Sequence, residues 1–289
     1  MTPFYDEKAG WSLWRWPFFD DGHYELADVV LAWLKGAQVL VDEPDLAKKG
    51  RAIVQSLGEA GLLRYLVPDS LDAFDVRSLC VIREALTYDD ALFDAMFTMQ
   101  GIGTLAIQEH GTPGQKQRYL DRCRDGSAVA AFALTEPDAG SDAAATATTA
   151  TRDGDDFVLN GDKTLISNAG FADHYIVIAR TGEDSGARGL SAFMVDADTP
   201  GLEAGEPIDF IAEHPAASLA FRDCRVSADA LIGEAGQGFR VAMGAFDIFR
   251  PSVGAAAVGL ARRAMEETLK RVHSREMFGE PMGNMQSIQ

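Results

Sequence analysis

The hydrophobic period changes twice along the chain, and that constrains the fold more than any other feature. From about residue 20 to 125 the pattern is helical: Leu26, Val29, Val30, Trp33 and Leu34 recur at i, i+3, i+4, i+7 and i+8 and lay one apolar stripe along a helix. Ile53, Leu57, Ala60 and Leu63 predict a second helix ending near Val67-Pro68, because a residue before proline is pushed out of the helical region. Residues 77–110 are long, apolar and nearly free of breakers until Gly101 and Gly103, and read as two helices. Thr112-Pro113 predicts an N-cap with proline in the first turn of a helix that runs to about Cys123.

At about residue 128 the period shortens. Ala128–Leu134 is a continuous apolar run of strand length, ending in Thr135-Glu-Pro-Asp-Ala-Gly-Ser-Asp142. Asp153-Gly154 and Asn160-Gly161, either side of Phe157-Val-Leu159, predict tight turns, since both dipeptides supply positive φ. His174–Ala179, Leu190–Val195 and Ser218–Phe221 with its neighbours read as further strands. Short strands separated by turn signals predict an antiparallel sheet or barrel, not a βαβ unit. From Gly236 the chain is helical again, with Pro251 expected to kink that helix or restart it. Residues 252–262 are poor enough in bulk for two helix backbones to approach closely there. The class is therefore α+β: an N-terminal helical domain over 1–127, a middle antiparallel β domain over 128–233, and the start of a C-terminal helical bundle over 234–289.

Charge and cysteine usage exclude several functions. The 289 residues carry 44 Asp+Glu against 26 Lys+Arg, a formal net charge of −18, which repels a phosphate backbone and argues against nucleic acid as a partner. Residues 250–289 run the other way, with Arg250, Arg262, Arg263, Lys270, Arg271 and Arg275 against Glu266, Glu267, Glu276 and Glu280. That segment is either a solvated helix face or a local site for an anionic ligand. Cys80, Cys123 and Cys224 lie far apart, without zinc spacing or a disulfide framework, which fits a reducing cytoplasm. Residues 1–8 lack the basic and apolar regions of a signal peptide, and no apolar run approaches the roughly 18 residues of a membrane span, so no membrane insertion is expected.

The usual catalytic templates are missing. There is no GxSxG elbow, HExxH or P-loop; Gly236-Gln-Gly238 lacks a third glycine and follows no convincing strand. His23, His110, His174, His214 and His273 form no ligand spacing, so no metal site is expected and each reads as a structural or surface residue.

Four segments in a fixed order carry a resemblance. Ala131-Phe-Ala-Leu-Thr-Glu-Pro-Asp-Ala-Gly-Ser-Asp142, Asn160-Gly-Asp-Lys-Thr-Leu-Ile-Ser-Asn-Ala-Gly170, Gly236-Gln-Gly-Phe-Arg240 with Phe246-Asp-Ile-Phe-Arg250, and Arg275-Glu-Met-Phe-Gly279 with Gln286 resemble motifs of the acyl-CoA dehydrogenase family. The resemblance covers essentially the whole chain. It implies FAD as cofactor, with Phe132, Leu134 and Thr135 along the pyrimidine side of the isoalloxazine and Gly140 allowing close backbone approach. Ser141 would meet flavin phosphate or the bound thioester. Leu165, Ile166 and Ser167 would lie on the other side, Ser167 near flavin N5, with Leu165 standing where the family commonly has Trp. Thr181, Asp247 and Arg250 correspond to substrate positions on the CoA part. Arg275, Met277, Phe278 and Gln286 correspond to residues that reach the FAD of a neighbouring subunit, which implies a homo-oligomer, dimer or tetramer, with shared sites.

Each assignment has a plainer alternative. The loop after Leu134 also reads as a polar hairpin, Leu165 and Ile166 as strand core, Asp247 and Arg250 as an intrahelical i, i+3 pair, and residues 275–286 as a surface helix end. The implied reaction is oxidation of an acyl-CoA thioester to the α,β-unsaturated enoyl-CoA, by α-proton abstraction and β-hydride transfer to FAD, with an electron-transferring flavoprotein as electron partner. The base is not identifiable: one family position for it is held by Phe249 and the commoner one falls beyond Gln289. Glu136 and Asp142 lie in the flavin loop, against the family pattern for a base. Met285–Gln289 breaks off within what reads as a helix, and the resemblance implies a C-terminal bundle about half present. Two other functions stay open: a catalytically silent flavin-binding or partner subunit, and an acyl-CoA oxidase or flavin monooxygenase on the same scaffold. Phe93, Met96, Phe97, Met99, Phe246 and Phe249 are candidates for an acyl pocket and equally good core residues.

Overall fold

Among the described residues five helices precede the sheet, and local capping explains where each begins. The computed structural model describes residues 17–182, 184 and 186–288; the signal-peptide reading of residues 1–8, and Gln289, lie outside the described residues. Helix α1 (Asp21–Ala37) opens on a capping box between Asp20 and His23 and buries Leu26, Ala27, Val30 and Leu34, while Val29 of the predicted stripe is exposed. Helix α2 (Leu46–Glu59) stops eight residues before Val67, because Gly61 takes φ +73 and Leu62–Tyr65 tightens into a 3-10 turn. Residues 76–110 do form two helices, α3 (Val76–Asp89) and α4 (Ala91–His110). They part at Asp90, which is extended and caps α4 through its side chain, so Gly101 and Gly103 sit inside α4. Helix α5 (Pro113–Arg124) carries the predicted Thr112 cap, completed by Gln115 as a capping box.

The sheet holds eight strands among the described residues, in the order β6-β7-β3-β2-β4-β5-β8 with β1 beside β4. These are β1 (Ala130–Ala133), β2 (Thr149–Asp153), β3 (Asp156–Ser167), β4 (His174–Arg180), β5 (Leu190–Asp196), β6 (Leu202–Pro207), β7 (Ala216–Ser227) and β8 (Leu231–Ile232). Most pairings are antiparallel, but β1 lies parallel to β4 and β2 meets β4 in parallel at one pair. The physical reason is cover on both faces. β1, β4 and β5 are buried along nearly their whole length, with α4 packed on β1, and such strands are continuous apolar runs, as parallel ones usually are. The Asn160-Gly161 turn does not form. β3 continues through it as a bulge, where Gly161 has φ +148 and an added Cβ would lie 2.6 Å from Thr148 Oγ1.

After the sheet, helix α6 (Gly238–Ser274) runs uninterrupted through Pro251. Its neighbour Ser252 is buried, accepts from Arg83 Nη1 at 2.8 Å and donates to the Phe249 carbonyl at 2.7 Å, which ties the helix down beside the proline. The low-bulk stretch does pack closely: Thr87 Oγ1 donates to the Ala256 carbonyl at 2.8 Å, and Gly259 lies against Glu84 and Thr87 of α3. By length and composition α6 is apolar enough to cross a membrane, but it packs on α3 and α4. The chain then forms a two-strand hairpin, β9 (Glu276–Met277) and β10 (Glu280–Pro281), and ends in turns where the sequence reads as helix. One hydrophobic cluster extends from Leu26 through the sheet to Phe249.

Candidate functional site

Where β1 ends, Leu134, Thr135, Gly140, Ser141, Asp142, Ala143 and Ala144 meet Phe239, Met243, Phe246 and Arg250 of α6 around a cavity of about 290 Å³. The four α6 residues follow i, i+4, i+7 and i+11, so one helix face forms the wall. Phe132 stands behind it, its ring edge-to-face with Phe246 at 5.9 Å. The structure thus brings the predicted β1 loop and the predicted Arg250 to one place. Arg250 lies over the Phe246 ring at 5.5 Å and also pairs with Asp247 at 3.4 Å, as the intrahelical reading has it; both groups are largely exposed.

A buried ion pair holds the β1 loop from beneath. Lys163 is fully buried on β3 and donates to the Leu134 carbonyl at 3.0 Å and to Glu136 Oε1 at 2.8 Å. Glu136 also accepts from the Ala147 and Thr148 amides at 2.7 and 3.0 Å. Burial pushes the Glu136 carboxyl up, but Lys163 and these donors outweigh it and hold it below the ordinary carboxylate value. Burial likewise draws the Lys163 ammonium down to about 8, against the pull of Glu136. Glu136 is therefore committed to holding the loop. Asp142 is the one carboxylate among the residues lining the cavity.

The β3 segment joins this loop through Thr164 N–H, which donates to the Thr135 carbonyl at 2.9 Å. Leu165 has φ 56 and is 54% exposed, an unusual conformation for a branched side chain without a covering surface. Ile166 is buried in the sheet core, so here the strand-core reading holds. Ser167 Oγ is 2.8 Å from His214 Nε2. Thr181 pairs its hydroxyl with Ser191 at 2.6 Å and lies outside the cavity. The preceding Arg180 lines a second cavity of about 590 Å³ that adjoins the first through Asp142 and Ala144.

Arg275, Met277, Phe278 and Gln286 are not brought to this place. Arg275 follows directly on the end of α6, and 24 helical residues separate Arg250 from Ser274, a distance of about 36 Å at 1.5 Å per residue. Arg275, Phe278 and Gln286 are exposed, and Phe278, with φ 55, is 94% exposed. Of the acyl-pocket candidates only Phe246 lines the cavity; Phe93, Met96, Phe97 and Phe249 are buried core. Phe249 points away from it, against Gly101 of α4 and edge-on to Phe74. From sequence Phe239 entered only within the Gly236–Arg240 segment, Met243 not at all, and His214 only as a structural or surface residue. The helical spacing of 239, 243, 246 and 250 carried a signal for the first two, whereas nothing in the order of residues pairs 167 with 214.

Three family models match: the acyl-CoA dehydrogenase N-terminal domain over residues 24–127, the middle domain over 131–224 and the C-terminal domain over 236–289. Among curated proteins, one named acryloyl-CoA reductase (NADH), from Anaerotignum propionicum, is 45% identical over 65% of this chain and 49% of its own length. A Mycobacterium leprae protein named as a probable acyl-CoA dehydrogenase is 34% identical over 97% of this chain and 75% of its own. The solved structure of an acyl-CoA dehydrogenase complexed with FAD, from Bacillus anthracis, superposes with a TM-score of 0.84 at 30% identity, over 93% of this chain and 48% of that one. The chain spans about half to three quarters of the length of such curated relatives.

Proposed function

The chain belongs to the acyl-CoA dehydrogenase family, and from that premise we propose that it is an FAD-dependent oxidoreductase that converts an acyl-CoA thioester to its α,β-unsaturated enoyl-CoA. One observation carries the reading: the cavity that joins the β1 loop to the Phe239–Arg250 face of α6.

The residues present fit a flavin next to a thioester. Leu134, Phe239, Met243 and Phe246 make an apolar wall for a flat ring, Thr135 and Ser141 offer hydroxyls along one edge, and Arg250 offers a planar fork of donors for phosphate. When bound, FAD supplies the hydride acceptor. The chain's own part is to orient: the Glu136–Lys163 pair fixes the loop that carries Thr135, and Ser167 presents a hydroxyl beside the Leu165 bulge. Oxidation also needs a base for the α-proton, and we assign none: Glu136 is committed, Phe249 cannot act, and Asp142 is the wall's one carboxylate.

The commitment of Glu136 and the apolar Phe249 favour one second reading, a flavin-binding subunit that does not turn over alone. In either case residues 275–286 serve the FAD site of another copy and the three unpaired cysteines suit a cytoplasmic setting, while in the dehydrogenase reading an electron-transferring flavoprotein takes the electrons. The test is reconstitution of the chain with FAD followed by anaerobic addition of short-, medium- and branched-chain acyl-CoA. Bleaching of the flavin band supports the dehydrogenase, stable uptake without bleaching supports the silent subunit, and peroxide formed in step with turnover would mean an oxidase. A chain that takes up no FAD refutes all three.

A further inference from the structure

We infer that His214 is a positioning residue for Ser167, setting whether the Ser167 hydroxyl faces the flavin as a hydrogen-bond donor or as an acceptor. This rests on the flavin reading above. Ser167 Oγ and His214 Nε2 are 2.8 Å apart, between residues 47 positions apart in sequence. The loop over 208–215 that carries His214 is pinned on both sides of it. Glu213 accepts from Lys49 Nζ at 2.7 Å, and Lys49 is buried although its partner is exposed. The Pro215 carbonyl accepts from Asn168 N–H at 2.8 Å, one residue from Ser167. The Phe210 ring stands edge-on to the imidazole at 5.6 Å. The side-chain bond is thus flanked by a backbone bond and a buried ammonium, so the imidazole has little freedom to leave Ser167.

The chemistry follows from the two ring tautomers. Burial draws the His214 imidazole below its ordinary value, so it is neutral near pH 7 and carries one ring proton. With the proton on Nε2, His214 donates to Oγ and leaves the serine proton to point elsewhere. With the proton on Nδ1, Nε2 accepts the serine proton, and Oγ offers lone pairs alone. Oxidised flavin N5 is an acceptor, while reduced N5 carries hydrogen. A neutral imidazole that can serve either way lets one serine match both, whereas a serine without this partner has to reorient unaided.

The experiment uses the whole chain, FAD as the probe, and two variants. His214→Phe keeps a ring and removes the bond; His214→Gln keeps a group able to donate or accept. We expect His214→Phe to fold, to bind FAD about fivefold more weakly, as misplacing the one neutral hydrogen bond from Ser167 to the flavin implies, and to shift the flavin reduction potential, with His214→Gln restoring both. Nitrogen-15 shifts of the His214 ring, read without FAD, should change in Ser167→Ala. Should His214→Phe fail to fold, Gln and Ser167→Ala decide alone: a Gln variant with wild-type affinity and potential, together with a His214 ring that responds to Ser167→Ala, supports the inference. Unchanged ring shifts in Ser167→Ala, or a folded His214→Phe with wild-type affinity and potential, overturn it. If the wild-type chain takes up no FAD, the flavin reading fails and this role fails with it.

Discussion

The end of β1 and the end of α6 carry two halves of the residue set that the family resemblance assigns to flavin, and they are built in opposite ways. At β1 the loop is anchored by Lys163, fully buried, with Glu136 and the Leu134 carbonyl as partners. At the end of α6, Arg275, Phe278 and Gln286 stand exposed around a short hairpin and the turns after it, and Val253, Val258, Leu260 and Met265 are exposed along the helix that leads there. The first half is held by buried partners within the chain; the second stands at its surface.

Breaking the buried anchor should have the largest effect. Lys163→Met leaves Glu136 buried without its cation and should cost about 3–5 kcal/mol in urea unfolding, with loss of FAD uptake. An unfolding midpoint equal to wild type would show that the loop does not depend on the pair. Next comes pH, acting on the same sealed side. Burial draws the His174 imidazole down to about 4 from 6.5. The neutral ring therefore contributes stability that is fully present above 6.5 and is lost as pH falls through about 4. The loss approaches ~3 kcal/mol, and His174→Phe should flatten that acid limb in a stability-versus-pH series.

A smaller effect is expected where the two sides meet. Gly259→Ala would press a methyl group into Thr87 and Glu84 of α3 and should cost about 1–3 kcal/mol by thermal or urea unfolding. The open side should respond least. Arg250→Gln and Phe278→Ser should each change stability by less than about 0.5 kcal/mol. Arg250→Gln should nonetheless weaken binding of coenzyme A about tenfold by calorimetry, as loss of charge-assisted bonds implies. Phe278→Ser should lower the sedimentation coefficient if that face meets a second copy. Any large loss of stability from Phe278→Ser would show that the hairpin is part of the core after all.

Much of this was legible in the chain. The Thr112 cap, the strands at His174 and Leu190 and the close approach of α6 to α3 follow from local patterns that tertiary packing did not override. What was not legible shares one cause. Asn160-Gly161 looked like a turn because positive φ is the only local signal, and a bulge inside a long strand uses the same backbone. The break at Asp90 was hidden because an aspartate marks a cap only when the next helix is known. Ile166 and Phe249 joined the core, and Thr181 turned to Ser191, because these orientations depend on neighbours far away in sequence.

By itself, then, the sequence determined the order of helices, sheet and helix, and the motifs that mark the family, since periodicity and short turns are local properties. Only the tertiary structure decided which motif residues share a cavity, that Lys163 and Glu136 hold one another, and that Ser167 meets His214. These depend on burial and on contacts between residues 27 and 47 positions apart, and burial is what turns an ordinary lysine, glutamate or histidine into a group with a fixed partner.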